Sequence, residues 1–174
     1  GSLVAGTYKT LVTDANGLVR SASVTITEPA PDPIITSAAY NGNTGVLTVT
    51  GSNFIANSGA ANDVDISLLT IIGQAGNTRS LTSSSDVEIT NSTTFSVTLS
   101  GAEKYAVDLV LNKVGTTADD ATTYNLAAAE DWMPGALVAS NIADLTSNGI
   151  VVSNPVDTIK PIVVSVSSSS GVTS

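Results

Sequence analysis

Short runs of β-branched and apolar residues, each closed by Gly, Asn, Asp or Ser, recur along this chain, and the clearest spans residues 44–54, TGVLTVTGSNF. There Val46, Leu47 and Val49 sit among Thr48 and Thr50 until Gly51-Ser52-Asn53 supplies turn chemistry, the pattern of an inner strand. The same reading predicts strands at residues 34–40, 66–72, 78–81, 87–89, 94–99, 149–153 and 162–166, with turns at 41–45 and 73–77 and a polar loop at 57–65. Upstream, residues 7–28 predict a β-hairpin: Tyr8, Leu11 and Val12 precede Asp14-Ala15-Asn16-Gly17, and Val19, Ala22, Val24 and Ile26 follow with partial alternation. A lone hairpin is marginal in water, so it does not make a domain by itself.

One stretch departs from this pattern. Ser100-Gly101-Ala102-Glu103 matches a capping box, with Ser100 as N-cap and Glu103 reaching back, and Gly115 stands where a C′ residue ends a helix. Between them Ala102, Tyr105, Ala106, Leu109 and Val110 recur at helical spacing, leaving Glu103, Lys104, Asp108 and Asn112 outward. A helix is predicted at about residues 101–114, and residues 124–133, YNLAAAEDWM, are expected to begin extended and turn helical through the three alanines. Trp132, the one Trp, is read as an aromatic plug over the core rather than a ligand platform.

Two proline-bearing joints organise the chain. SVTITEPAPDPIITSA from Ser23 and GIVVSNPVDTIKPIVVSV from Gly149 run strand, Pro, Asp, Pro, new strand, in the same order and at an offset of about 126 residues from Pro29 to Pro155. The chain is therefore expected to be out of phase with its repeat. Residues 1–28 form the C-terminal hairpin of a preceding module and residues 29–33 a stiff proline-rich joint. Residues 34–154 form one complete module, and residues 155–174 a joint and the first strand of the next.

These residues carry a resemblance. The AGTY…DANG…SVTI hairpin resembles the last two strands of many bacterial immunoglobulin-like domains, and VLTVTGSNF resembles the opening of an IPT/TIG-type domain. The full set, TGVLTVTGSNF, NDVDISLLT, the capped helix, TTYNLAAAEDW and SNGIVVSN, is similar to tandem repeats of very large secreted or surface proteins of bacteria, often alongside calcium-binding modules. It implies a mainly β fold: an immunoglobulin-like antiparallel β-sandwich with one inserted α-helix.

Composition narrows the chemistry. The 174 residues suffice for one domain with a real core. Six Lys and Arg against 15 Asp and Glu give a net charge of −9, which disfavours nucleic acid and anionic lipid as partners. With neither Cys nor His, thiolate nucleophiles, imidazole bases, the usual zinc sites and Ser-His-Asp triads are excluded, and oxygen chemistry remains. No apolar run approaches the ~20 residues of a helical membrane span. The wealth of Ser, Thr, Gly and Asn and the scarcity of Lys suit a secreted protein, extracellular or on the bacterial cell surface. The chain opens Gly1-Ser2 without Met, as a cloning scar does, so an export signal or anchor is expected outside it.

Carboxylates cluster at Asp63/Asp65, Asp119/Asp120 and Glu130/Asp131, with Asp32 and Asp157 at the joints. Two readings stand side by side. They are solvated loop acids, including helix caps at Asp65 or Asp131, or they are oxygen ligands for calcium, which takes about six to eight. No EF-hand spacing or glycine-rich nonapeptide supports the second. No catalytic residue is assigned, because the few aromatics cannot line a sugar cleft between paired carboxylates. Lys9, Lys104, Lys113 and Lys160 read as surface lysines rather than isopeptide partners, and Asn91-Ser92-Thr93 as a turn rather than a glycosylation site.

The expected function is a non-enzymatic structural repeat module of an adhesin or surface-layer protein, giving reach, stiffness or assembly, with neighbouring modules or identical subunits as partners. One alternative is an adhesive module binding a glycan or matrix ligand through loops 55–65 and 116–136. Another is a filament subunit polymerising by strand exchange between its termini.

Overall fold

The computed structural model describes residues 3–136 and 140–156. It is mainly β. Strands β1 (Gly6–Thr13) and β2 (Val19–Ile26) form a two-stranded antiparallel sheet with Tyr8 opposite Val24 and Lys9 opposite Ser23. Their turn is held by one side chain: the Asp14 carboxylate accepts from the amides of Asn16 and Leu18, both at 2.9 Å, while Gly17 takes φ +82°. No residue of this hairpin is buried.

Beyond the prolines, β3 (Ile34–Asn41), β4 (Val46–Ser52), β7 (Thr94–Thr98) and β9 (Ile150–Ser153) make a four-stranded sheet in the order β7-β4-β3-β9. A second sheet orders β6 (Thr78–Ser80), β5 (Leu69–Ile72) and β8 (Asn125–Ala128) as β6-β5-β8. The two sheets share one core, with Tyr40, Leu47, Val49, Phe95, Val97 and Val152 from the first against Leu69, Ile71, Leu126 and Ala128 from the second. In β4 the alternation is direct, Leu47 and Val49 inward and Thr50 outward. In β3 the register against β4 shifts between Ile35 and Ser37, so inward positions pass from Ile35 to Ala38 and Tyr40. Gly51 is required by contact: a Cβ there would lie 2.0 Å from the Ile34 carbonyl oxygen.

Four local expectations change. The strand expected at 66–72 begins as a 3₁₀ turn, Ile66–Leu68, and only Leu69–Ile72 is extended. Residues 87–89 contribute a single bridge, Val64 to Val87. Residues 125–128, with the first two of the three alanines, form strand β8 and no helix follows, because β5 offers a ladder from Leu69 opposite Ala128 to Ile72 opposite Asn125. The all-antiparallel order is broken where β9 runs parallel to β3, Ala38 opposite Ile150 and Asn41 opposite Ser153.

The helix is also shorter than expected. Helix α1 spans Gly101–Asp108, not residues 101–114. The Val110 carbonyl accepts instead from the Gln74 amide at 2.9 Å, tying the chain to the turn after β5, and Gly115 bridges Val152 rather than capping α1. The capping box does not form. Ser100 makes no side-chain cap bond, and Glu103 accepts from the Ser83 amide at 2.7 Å and from the Ser84 hydroxyl. Of the expected face only Val110 is buried, beside Val107, Asp108 and Leu111, while Ala102, Tyr105 and Leu109 are exposed.

Candidate functional site

Of the described acidic candidates, Asp63, Asp65, Asp119, Asp120 and Glu130 have carboxylates engaged by nearby backbone or polar side chains. Asp63 is fully buried and accepts from the Asn57 amide at one oxygen and from the Ile89 amide at the other, 2.7 Å away, so it pins the polar loop to the following segment. Asp65 caps the 3₁₀ turn, accepting from the Ser67 amide at 3.0 Å and the Ser67 hydroxyl at 2.6 Å, the cap role expected from sequence. Glu130 receives the Ile142 and Ala143 amides at 3.1 and 3.2 Å, and Asp131 holds φ +63° at the turn beside Trp132.

Asp119 and Asp120 lie at the surface near Gln74 and Asn112. Asp119 accepts from Asn112 Nδ2 at 3.3 Å, and Asp120 accepts from the Thr122 and Ala75 amides at 3.0 and 2.8 Å. Those amides, Thr122 first, hold the Asp120 carboxyl below the usual carboxylate range. At the joint, the Asp32 carbonyl accepts from Asn53 Nδ2 at 3.0 Å. Asp157, the strand expected at 162–166 and Lys160 lie outside the described residues.

The structure therefore distributes these acids over separate loops. Among the described residues no three acidic side chains converge on a point where a cation would find its ligands. As arranged, the carboxylates of Asp63, Asp65, Asp119, Asp120 and Glu130 order loops, and no chemical step is assigned through a bound ion.

Sequence reasoning missed the two polar clusters that penetrate the core. Asp108, assigned to the outer face of α1, is buried, accepting from Tyr40 Oη and from Lys104 Nζ, each at 2.7 Å. Burial, and then the Asp108 carboxylate, push the Tyr40 phenol far above its ordinary range. Lys104 four residues before Asp108 is the available signal, since that spacing brings the two side chains together on a helix, although each is assigned to the outer face from sequence. The second cluster joins Asp144 to the Ile35 amide at 2.9 Å and to Asn148 Nδ2 at 2.8 Å, and the buried Asn148 also donates to the Leu126 carbonyl at 3.1 Å. It ties the first residues of β3 to the segment before β9.

Trp132 is a core residue: fully buried, with Nε1 donating to the Ile142 carbonyl at 2.9 Å and its ring 5.8 Å from Phe54 and 6.3 Å from Phe95. Asn91 accepts from the Thr93 and Thr94 amides at 2.9 and 2.8 Å, a side-chain-built turn.

The remaining candidate is the hairpin. Its register puts Tyr8, Thr10 and Val12 on one face with Val24, Ala22 and Arg20, Ile26 following at the end, and Thr7, Lys9 and Leu11 on the other with Thr25, Ser23 and Ser21. The first face is mostly apolar, with Arg20 and Thr10 among its residues, and partly open: Val12 is 66% exposed and Val24 60%, while Tyr8 and Ile26 are half-buried. No family model, curated protein or solved structure matches the chain.

Proposed function

We propose that residues 34–154 are one module of a tandem array in a bacterial extracellular or cell-surface protein of adhesin or surface-layer type, and that the module is immunoglobulin-like and non-enzymatic. Its work is mechanical: reach, stiffness and assembly.

The observation that carries this reading is a repeated register. In the central unit Asn125 pairs antiparallel with Gly149, and the Ile150 amide donates to the Tyr124 carbonyl at 3.4 Å. In the hairpin Lys9 pairs with Ser23 and Tyr8 with Val24. The offset that aligns Pro29 with Pro155 also aligns Ser23 with Gly149 and Val24 with Ile150, and Tyr8-Lys9 then falls on Tyr124-Asn125. The hairpin thus matches, at the one bridge that joins the segments of β8 and β9, the way the central unit closes, with a shorter connection between the two strands. Two elements with one register are what a repeat provides.

The path of the chain supports reach. It enters at Ile34, at the start of β3, and leaves after Ser153, which lies opposite Asn41 at the far end of the same strand because β9 is parallel to β3. Entry and exit are separated by the length of an eight-residue strand, about 25 Å, so successive units are passed end to end. Small-angle scattering on a chain carrying two copies of residues 29–154 in tandem tests this. An elongated particle about twice the length of one unit is expected. A compact two-unit particle, or turnover of a glycan substrate, overturns it.

A further inference from the structure

We propose that Tyr105, Leu109 and Val114, an apolar patch at the end of the central unit where the chain leaves it, seat the entry end of the next copy of residues 34–154, around its Ile34. The proposal rests on the repeat reading above and adds the two surfaces that meet.

The patch arises from the way α1 is turned. Its buried side carries Val107 and Asp108, so Tyr105 and Leu109 face solvent, 59% and 37% exposed, and Val114 just beyond the helix is 65% exposed. Tyr105 is the one aromatic residue of residues 34–154 that is not buried. An open aromatic beside aliphatic side chains has the composition of an interface core.

Its position names the occupant. Ahead of α1 the Leu99 amide donates to the Gly45 carbonyl at 2.9 Å, and in the same β3–β4 turn the Gly42 amide donates to the Ser153 carbonyl at 2.9 Å. Past α1 the Gly115 amide, next to Val114, donates to the Val152 carbonyl at 3.0 Å. The patch therefore stands beside the point where β9 ends and the chain departs. The joint that precedes the unit, residues 29–33, spans at most about 17 Å even when extended, so an array holds the next entry end close to this patch. At that entry end Ile34, the first residue of β3, is 50% exposed. The tether makes the contact intramolecular, so a patch too small to hold two separate chains suffices.

Charge orders the two ends in the same sense. The three cations of residues 34–154 are Arg79, Lys104 and Lys113. All lie on α1 or near it: Lys104 is in the helix, Arg79 Nε donates to the Ala106 carbonyl at 3.3 Å, and Lys113 follows the helix. The entry end holds acids without a cation, among them Asp86, which accepts from the Ile66 amide at 3.0 Å, and Glu88, which accepts from the Ala61 amide at 2.8 Å. Cations at one end and acids alone at the other favour head-to-tail contact and disfavour two entry ends meeting.

Every residue of the central core lies between Ile35 and Val152, so the unit can be repeated intact. The test uses the whole chain with residues 29–154 present twice in succession. The sequence has no Cys, so Val114→Cys placed in the first copy, or in the second, is the single thiol that a maleimide can label. The first-copy thiol is expected to react about tenfold more slowly than the second-copy thiol, because the second unit covers it. Ser96→Cys, exposed on β7, is expected to react equally in both copies. Adding Tyr105→Asp and Leu109→Asp to the first copy, both at exposed positions, is expected to bring its Val114→Cys rate to within about twofold of the second-copy rate. Equal rates at Val114→Cys in the two copies overturn the contact, as does protection that survives the two aspartates. An elongated particle with equal rates refutes the contact and leaves the array standing, whereas a compact particle in scattering refutes the array itself.

Discussion

Aligned at Pro29 and Pro155, as the proposed repeat has it, Lys9 opposite Ser23 in the hairpin β1–β2 matches Asn125 opposite Gly149 in the central unit, but the two regions differ in environment. Tyr124 and Ile150 are buried between two sheets, while Val24, the counterpart of Ile150, stands 60% exposed on a ribbon held by its own ladder and the Asp14 turn. The backbone pattern is therefore local, set by turn chemistry and β-propensity. Burial comes from the third strand and the opposing sheet, and large packing energies belong only where those are present.

The largest effects should separate the two regions. Tyr124→Ala removes a buried aromatic ring and is expected to cost about 3–5 kcal/mol, and Ile150→Ala about 2–5 kcal/mol. The matched changes Tyr8→Ala and Val24→Ala should shift unfolding of the central unit by less than about 0.5 kcal/mol. Trp132 reports that unit in urea titrations followed by its emission, since it is the one Trp and is buried there. Equal costs at matched positions would mean that the hairpin is already packed.

Asp63 and Asp65 give a sharper contrast two residues apart. Asp63→Asn keeps one acceptor but turns an amide group toward a buried N–H, and is expected to cost about 1–3 kcal/mol. Asp65→Asn keeps a capping acceptor at the surface and should cost well under 1 kcal/mol. Chemical denaturation of both variants, with the slope unchanged, measures the difference.

Alkaline pH provides a graded test. Burial raises the Tyr124 phenol, and burial with the Asp108 carboxylate raises Tyr40 further. Below pH 10 both are protonated whether the chain is folded or not, so their stabilisation is complete. Above it the unfolded chain releases protons that the folded chain keeps, and stability falls by up to about 1.4 kcal/mol per pH unit for each tyrosine. Melting temperatures between pH 9 and 11 should decline, and Tyr40→Phe should make the decline shallower. A flat profile would place both phenols in water.

The smallest expected effect is at the N-terminal end of α1. Ser100→Ala should change stability by less than about 0.5 kcal/mol, because its side chain makes no cap bond, whereas Glu103→Ala releases the Ser83 and Ser84 contacts and should cost about 1 kcal/mol. Thermal unfolding of the two variants ranks them. A larger loss at Ser100 would restore the capping box.

Elements whose geometry is decided by neighbours in sequence were legible from the residues. The Asp14–Gly17 turn, the alternation of β4, the Asp65 cap and the Asn91 turn follow from side chains acting on backbone a few positions away. Other features required contacts from far along the chain. Val110 gives its carbonyl to Gln74 and ends α1 early, Glu103 turns to Ser83 and Ser84, Asp108 is drawn inward by Tyr40, and Ala127 and Ala128 join a strand because β5 presents an open edge. The parallel pairing of β9 with β3 belongs with these. A strand's own residues set which positions face inward, but its partner and direction are decided by which free edge the folded sheet leaves for it.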